Sequence, residues 1–408
     1  MVKYSNMNIL YLSYDGILEP LGQSQVLRYL ERLAENHSIT LISYEKPEDW
    51  NDKDKRDVLK AHMDAVGIKW LPLRYHKTPS GLATAFDIVQ GTVVCSWLCI
   101  RHKINIVHAR SYVSSVIALF LKKIFGIKYI FDMRGFWADE RVDGGLWPKD
   151  GRMYRVAKWF EKRFLLNADR VVSLTTAAVN EMKTFDYLQG SMPVFETITT
   201  CTDLDVFNYS NTTSKRVKES HPFTVGYVGS VGVWYLFDET LNCFKELQRQ
   251  VPEARLHILN RGDHDYIRKR ISESGIADES VLLEVADHVD VAKAMQNMDA
   301  GIFIIKPAYS KMASAPTKLG EFLGCGVPCL GNTNVGDMAD IIVGEKVGVV
   351  LSDFDVDSIR EAVEELVYLT KQEGIQAHCR DVALRYFSLE EGVRNYDRIY
   401  RKYPYPRI

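Results

Sequence analysis

Short apolar runs, each followed by a polar loop and then by residues at helical spacing, recur through the first half of the chain. Residues 8–13 form the first run, and residues 15–22 behind it hold two glycines and a proline. Residues 25–35 then set Val26, Leu27, Leu30 and Leu33 on one side of a predicted helix. A second β-rich run follows at 38–43. Residues 104–108 begin another unit, with a helix through Leu121, and residues 128–131 another, ending in a loop. A helix at 153–167 leads into the run 170–174. Short strands alternating with helices predict a parallel sheet covered on both faces, because each parallel connection must cross back over the sheet.

The pattern restarts after a polar, proline-containing stretch at 208–222. A strand at 223–228, a tight loop at 229–233 and a helix at 238–250 open this second series. Strands at 255–259, 301–305 and 327–330 and a helix at 317–323 continue it. Two series in tandem predict an α/β protein of two Rossmann-like domains, at 1–207 and 208–388. A chain of 408 residues is also too long for one ordinary core. Residues 389–402 return to helical spacing with several aromatics, and the tail 389–408 is expected to cross back to the first domain.

Composition narrows the class. The chain is 46% apolar and 25% charged, as in soluble globular proteins, with a net charge of -2. Between residues 101 and 170, however, Lys and Arg outnumber Asp and Glu about two to one. Such a block suits an anionic partner such as a phospholipid surface or a lipid diphosphate, or else pairs locally as a solvated face. Within it, Arg155, Lys158, Lys162 and Arg163 alternate with Trp159, Phe160 and Phe164. That mixture fits an interfacial helix and a core-packed one equally. Nucleic acid is not an expected partner. Residues 82–100 are the most apolar long stretch, but Asp87, Gln90 and Gly91 interrupt it, so a buried helix is expected rather than a membrane span. The odd number of cysteines, seven, with no Cys-x-x-Cys and no His pair at ligand spacing, predicts neither disulfides nor a zinc site. With a polar N-terminus lacking a signal sequence, this points to the cytoplasm, at the inner face of the membrane if lipid is contacted.

Ligands of doubly wound sheets bind beyond the carboxyl ends of the strands, so the loops there carry the candidate chemistry. Gly22 opens the first helix, where free N–H groups could hold a phosphate, or it is simply a turn residue. His108 and Arg110 follow a strand. Asp132, Arg134, Trp137, Asp139, Glu140 and Arg141 crowd ten positions after another. Charges beside aromatics suit sugar hydroxyls and diphosphates, or make an ion-paired surface loop. In the second series, Gly229 and Ser230 end the first strand, and Arg261 follows the next. Pro316, Thr317 and Lys318 bring backbone donors, a hydroxyl and a cation to one helix start, a diphosphate cradle. Glu321 lies one turn on, where a carboxylate can take both hydroxyls of a ribose.

The run 313–330 resembles the donor-binding signature of glycosyltransferase family 4, retaining enzymes of the GT-B fold whose two parallel sheets face a central cleft. The resemblance includes Pro20-Leu-Gly22, Ile106-Val-His-Ala-Arg110, Ala168-Asp-Arg-Val-Val172, Cys201-Thr-Asp-Leu-Asp-Val-Phe207 and Val225-Gly-Tyr-Val-Gly-Ser230. It is similar to a subgroup with Pro-Thr-Lys before the Glu, often found with surface-polysaccharide genes. The resemblance implies metal-independent, retaining transfer from a nucleotide-diphosphate sugar, expected to be a UDP-sugar, to a glycan or polyprenyl-diphosphate-linked acceptor. No cofactor is expected. It assigns donor binding to Gly22, Gly229, Ser230, Arg261, Thr317, Lys318 and Glu321. Catalysis falls to Asp132, Arg134 and His108, and acceptor binding to Arg110, Trp137, Asp139, Glu140 and Arg141. Asp203-Leu-Asp205 has the spacing of a metal site but sits in the interdomain connection, and is read as structural.

Three positions depart from the family. Ala313 stands where the first of its paired glutamates is expected. Ser230 replaces an Arg, and a nearby Lys has no evident counterpart, which leaves Lys318 and Arg261 to neutralise the diphosphate. Arg134 stands where the first domain has a His. A sugar-nucleotide 2-epimerase of the same fold, or a non-catalytic nucleotide-sugar-binding scaffold, are the competing readings.

Overall fold

A computed structural model describes residues 7–209, 222–286 and 288–403. The chain divides into two compact units. The first runs to Thr199 and is completed by the chain from Leu389 onward; the second is Thr200–Ser388.

Among the described residues, the first unit holds seven parallel strands: β1 (Asn8–Ser13), β2 (Ser38–Glu45), β3 (Lys69–Arg74), β4 (Ile106–Arg110), β5 (Lys128–Asp132), β6 (Arg170–Ser173) and β7 (Phe195–Thr197). Their order is β3-β2-β1-β4-β5-β6-β7. The central strands are buried on both faces, which is why β1 reads as a near-continuous apolar run rather than an alternating one; β4 is equally buried but carries His108 and Arg110 within it. The second unit holds β8 (Thr224–Val228), β9 (Arg255–Leu259), β10 (Val281–Glu284), β11 (Ala300–Ile302), β12 (Cys329–Asn332) and β13 (Gly348–Leu351), in the order β10-β9-β8-β11-β12-β13. In each sheet the winding reverses beside its first strand, between β1 and β4 and between β8 and β11. That reversal opens a crevice at the carboxyl edge where ligands of such sheets bind.

The boundary between units lies at Thr199, not at 207. Residues 200–207 pack into the second unit: Thr202 N–H donates to the Phe387 carbonyl at 2.7 Å, and Leu204 and Phe207 join its core. The Arg380 guanidinium donates to the carbonyls of Leu204, Phe207 and Gly324, tying this segment to the end of the helix Thr317–Gly324. Asp203 turns its carboxylate onto the Asp205 N–H within that segment. Of the polar stretch expected at 208–222, residues 210–221 lie outside the described residues.

The stretch 82–100 also differs from expectation. It forms the helix Ser80–His102, but only one side is buried, and most of its large apolar residues, Leu98 excepted, face outward. The cysteines are all buried free thiols.

Candidate functional site

Ser13, Arg110 and Asp132, the last residues of β1, β4 and β5, stand in one row across the sheet, with Ser13 paired to Arg110 and Arg110 to Asp132. The backbone is strained just beyond this row. Ser111 has φ 66° and Arg134 has φ 59°, a region that side chains with a Cβ occupy at a cost and that clusters at functional sites.

His108, Asp132 and Arg134, far apart in sequence, meet here. The His108 ring bonds the Tyr400 hydroxyl through Nδ1 at 2.6 Å and faces Asp132 Oδ2 through Nε2 at 3.4 Å. Tyr396 donates to the same Oδ2 at 3.0 Å, and the Arg134 guanidinium lies 4.0 Å from Oδ1. Burial pushes the His108 pKa down by more than Asp132 raises it. Burial would raise Asp132, but Arg134, His108 and Arg110 outweigh it and hold the carboxyl below its usual value. Burial alone would lower Arg134, yet Asp132 keeps it firmly protonated. The cavity among these groups measures about 10 Å³ and is lined also by Tyr11, Gln25 and Tyr29. That is room for about one water. Two tyrosines of the helix Leu389–Arg401 thus take up the His and the Asp that sequence reasoning assigned to catalysis.

Arg110 sits differently. It is 5% exposed, its nearest carboxylate is Asp15 at 3.5 Å, and its Nε and Nη1 have no hydrogen-bond partner among the described residues. A buried guanidinium with free donors at a strand end is poised for an anion.

The remaining first-unit residues are partly committed to the fold. Both oxygens of Asp139 are engaged, by Tyr154 Oη at 2.8 Å and Lys158 Nζ at 2.9 Å. Lys158 also pairs with the buried Glu161, which in turn accepts from Tyr112. Asp139 therefore fastens the helix Arg152–Asn167, and its carboxylate is not open to an acceptor. Trp137 packs on Tyr112 and Trp147, with the Arg141 guanidinium 5.3 Å from its ring centre. Glu140 is half-buried beside it. Gly22 lies in the first turn of a helix that begins at Pro20, and it packs directly on Gly16, where no Cβ would fit. Glu45 holds the loop before that turn: its buried carboxylate accepts from Ile17 N and Leu18 N at 3.0 and 3.1 Å.

In the second unit the crevice between β8 and β11 gathers several of the expected donor residues. Gly229 has φ 139°, a conformation nearly restricted to glycine, and its carbonyl accepts from Asn260 Nδ2 at 2.9 Å. Lys318 passes beside this turn, and its Nζ pairs with Glu321 Oε2 at 2.6 Å across the first turn of the helix Thr317–Gly324. Thr317 is the first residue of that helix, after Pro316. Ser230 is exposed, its carbonyl held by Tyr227 Oη at 2.7 Å. Arg261 is exposed beyond β9 and makes no ion pair or hydrogen bond among the described residues.

Sequence reasoning missed Lys311. It is buried 6% exposed, with its ammonium 3.7 Å from the Trp234 ring centre, in the loop that follows Gly229. It supplies a cation where none was evident before the helix Phe237–Gln250. Only the fold brings residues 234 and 311 together. Tyr396, Tyr400, Glu45 and Glu161 were missed for the same reason.

Residues 22–188 match the glycosyl transferase 4-like domain, and residues 210–375 match the domain of glycosyl transferases group 1. The chain belongs to glycosyltransferase family 4. A search of curated proteins finds no match to this glycosyltransferase. Among solved structures it is similar to sucrose-phosphate synthase from Thermosynechococcus elongatus, with 13% identity, a TM-score of 0.70, and 97% of this chain and 99% of that one covered. A glycosyltransferase from Rickettsia africae gives 13% identity and a TM-score of 0.72 over 98% of this chain and 99% of that one. Anabaena HepE, solved with UDP and glucose, gives 12% and 0.67 over 97% and 99%. At such identities the likeness is one of fold, and the fold is GT-B.

Proposed function

We propose that this glycosyltransferase moves a sugar, with retention, from a UDP-sugar to a glycan or polyprenyl-diphosphate-linked acceptor on the cytoplasmic side of a membrane, in surface-polysaccharide synthesis. One observation carries the donor half of the reading. Gly229, Lys318 and Glu321 converge at a helix start in the crevice of the second sheet. Anabaena HepE, of the same fold, was solved with UDP and glucose. When the donor's bond from the anomeric carbon to the diphosphate oxygen breaks, negative charge grows on the diphosphate. The N–H groups at Thr317 and the Lys318 ammonium suit that charge, and stabilising developing charge is often the largest catalytic effect. The acceptor hydroxyl gives its oxygen to the new glycosidic bond and passes its proton to the departing diphosphate oxygen. Glu321 would leave Lys318 to take the ribose hydroxyls. Arg110, with its free donors, suits a phosphate on the acceptor. Arg134, always charged, has an electrostatic role in this reading and cannot be a base.

The test is calorimetric titration with UDP. Glu321→Ala should weaken binding by about 1.5–3 kcal/mol, the range for a hydrogen bond involving a charged group. Unchanged affinity in the folded variant would overturn the donor assignment. Transfer assays across UDP-sugars then identify the sugar, and the anomeric configuration of the product tests retention.

A further inference from the structure

The helix Ser80–His102 is built inside out. Its inward side carries Ala83, Asp87, Gly91, Cys95, Leu98 and Cys99, of which Leu98 is the one large apolar residue. Its outward side sets Leu82, Phe86, Val89, Val93, Trp97 and Ile100 in one stripe at three- and four-residue steps, each about half to three-quarters exposed. The inward polar group is accounted for: Asp87 accepts from Tyr14 Oη at 2.8 Å and bonds the His76 ring. Apart from the His76 ring edge-on to Phe86, no side chain outside the helix among the described residues of the first unit covers the outward stripe.

The stripe does not stand alone. This helix packs beside the helix Ser111–Phe125, which packs beside Arg152–Asn167. The second exposes Phe120 and Ile124, and the third Met153, Val156 and Trp159. Exposed cations edge the same three helices: Arg101, Lys123, Arg155 and Arg163. Their only carboxylates, Asp87 and Glu161, are fully buried. The layer therefore presents apolar and cationic side chains and no exposed carboxylate.

We propose that this layer docks the protein on a bilayer containing anionic phospholipid, with the stripe among the acyl chains and the cations on headgroup phosphates. Charge and apolarity together select this occupant. A second copy in a two-fold dimer would set like cations against one another with no carboxylate to pair them. The helix is about 35 Å long at 1.5 Å per residue, long enough to cross a bilayer. It lies on the membrane rather than through it, because β3 and β4 flank it in one sheet and its inner side packs on Ile117 and Tyr44. This surface is separate from the donor site and goes beyond the transfer reaction.

Flotation of the full chain with phosphatidylcholine vesicles, with and without phosphatidylglycerol, tests it. Binding should be at least about tenfold stronger with the anionic lipid and weaken with salt. Brominated lipid should quench tryptophan emission in the wild type and less in Trp97→Phe. The Phe86→Ser/Val93→Ser variant should lose about tenfold in binding while keeping its UDP-induced thermal shift. No flotation with either vesicle, or a dimer in solution that Val93→Asp dissolves, would overturn the proposal. UDP binding that persists in either outcome leaves the donor reading standing.

Discussion

Arg134 holds two unfavourable positions at once, a left-handed backbone and a buried charge, and its neighbours offset both. Asp132 supplies the opposite charge, and Gly135 beside it shares the turn with a φ of 142°. Truncation should separate the two effects. Arg134→Ala keeps the strained backbone and strips Asp132 of its cation, a loss of about 3–5 kcal/mol for a broken buried pair. Arg134→Gly removes the same cation but relieves the backbone, and should be less destabilising by about 1 kcal/mol. Urea unfolding of both variants measures the difference, and equal losses would mean that the loop relaxes once the guanidinium is gone. Arg134→Lys tests function: a fall in kcat larger than the rise in KM indicates charge stabilised in the transition state. A loss of stability with kcat and KM intact assigns Arg134 to the fold.

His108 gives a pH signature at the same site. Its folded pKa lies below the ordinary 6.5 because burial disfavours the imidazolium. Between 6.5 and that lower value the unfolded chain takes up a proton that the folded one does not. His108 therefore contributes its full stability above pH 6.5 and loses it as the pH falls toward the folded pKa. His108→Phe should flatten the decline below pH 6.5 by at most about 1.4 kcal/mol per pH unit. His37 and His102, also lowered, contribute equally to both proteins and cancel in the difference. An unchanged slope would mean that His108 is already protonated in the folded state.

At the scale of elements, the helix Leu389–Arg401 organises the first site. Tyr396 and Tyr400 reach Asp132 and His108 from it, while Asp397 bonds His37 at 2.8 Å and Glu390 pairs with Arg32. Tyr396→Phe and Tyr400→Phe should each lose about 1–3 kcal/mol, because each removes a hydrogen bond to a buried polar group: Tyr400→Phe leaves His108 Nδ1 unpaired, and Tyr396→Phe leaves Asp132 Oδ2 only the longer contact with His108. Both tyrosines serve one network, so the double variant should deviate from additivity, as a double-mutant cycle in urea would show. The helix Thr317–Gly324 is the second organising element. Its start was readable from Pro316, Thr317 and Lys318, and the helix expected at 317–323 is observed at Thr317–Gly324. The Lys318–Glu321 pair was not, although residues three apart on a helix are neighbours.

For the whole molecule, the division into units sets a test of its own. A chain ending at Ser388 removes the last helix from the first unit and nothing from the second. It should keep UDP binding while amides of β1, β4 and β5 lose protection from hydrogen exchange. Equal loss of protection in β8 and β12 would mean that the units do not fold separately.

The alternation of short apolar runs with helical spacing determined the class of both units, since parallel strands buried on two faces cannot be written otherwise. The glycine at 229 and the Pro-Thr-Lys start of its helix were legible because turns and helix ends are local constraints on the chain. Whether Asp139 faces a ligand or Lys158, whether a carboxylate such as Glu161 is buried, and whether Lys311 reaches Trp234 depend on segments far apart in sequence. The helix Ser80–His102 shows the limit most plainly. Its sequence is apolar on two sides, and hydrophobicity alone does not say which side the core takes. Gly91 marks the side that was taken, because a Cβ there would collide with Tyr44 and Ile117, and that close approach exists only in the folded chain.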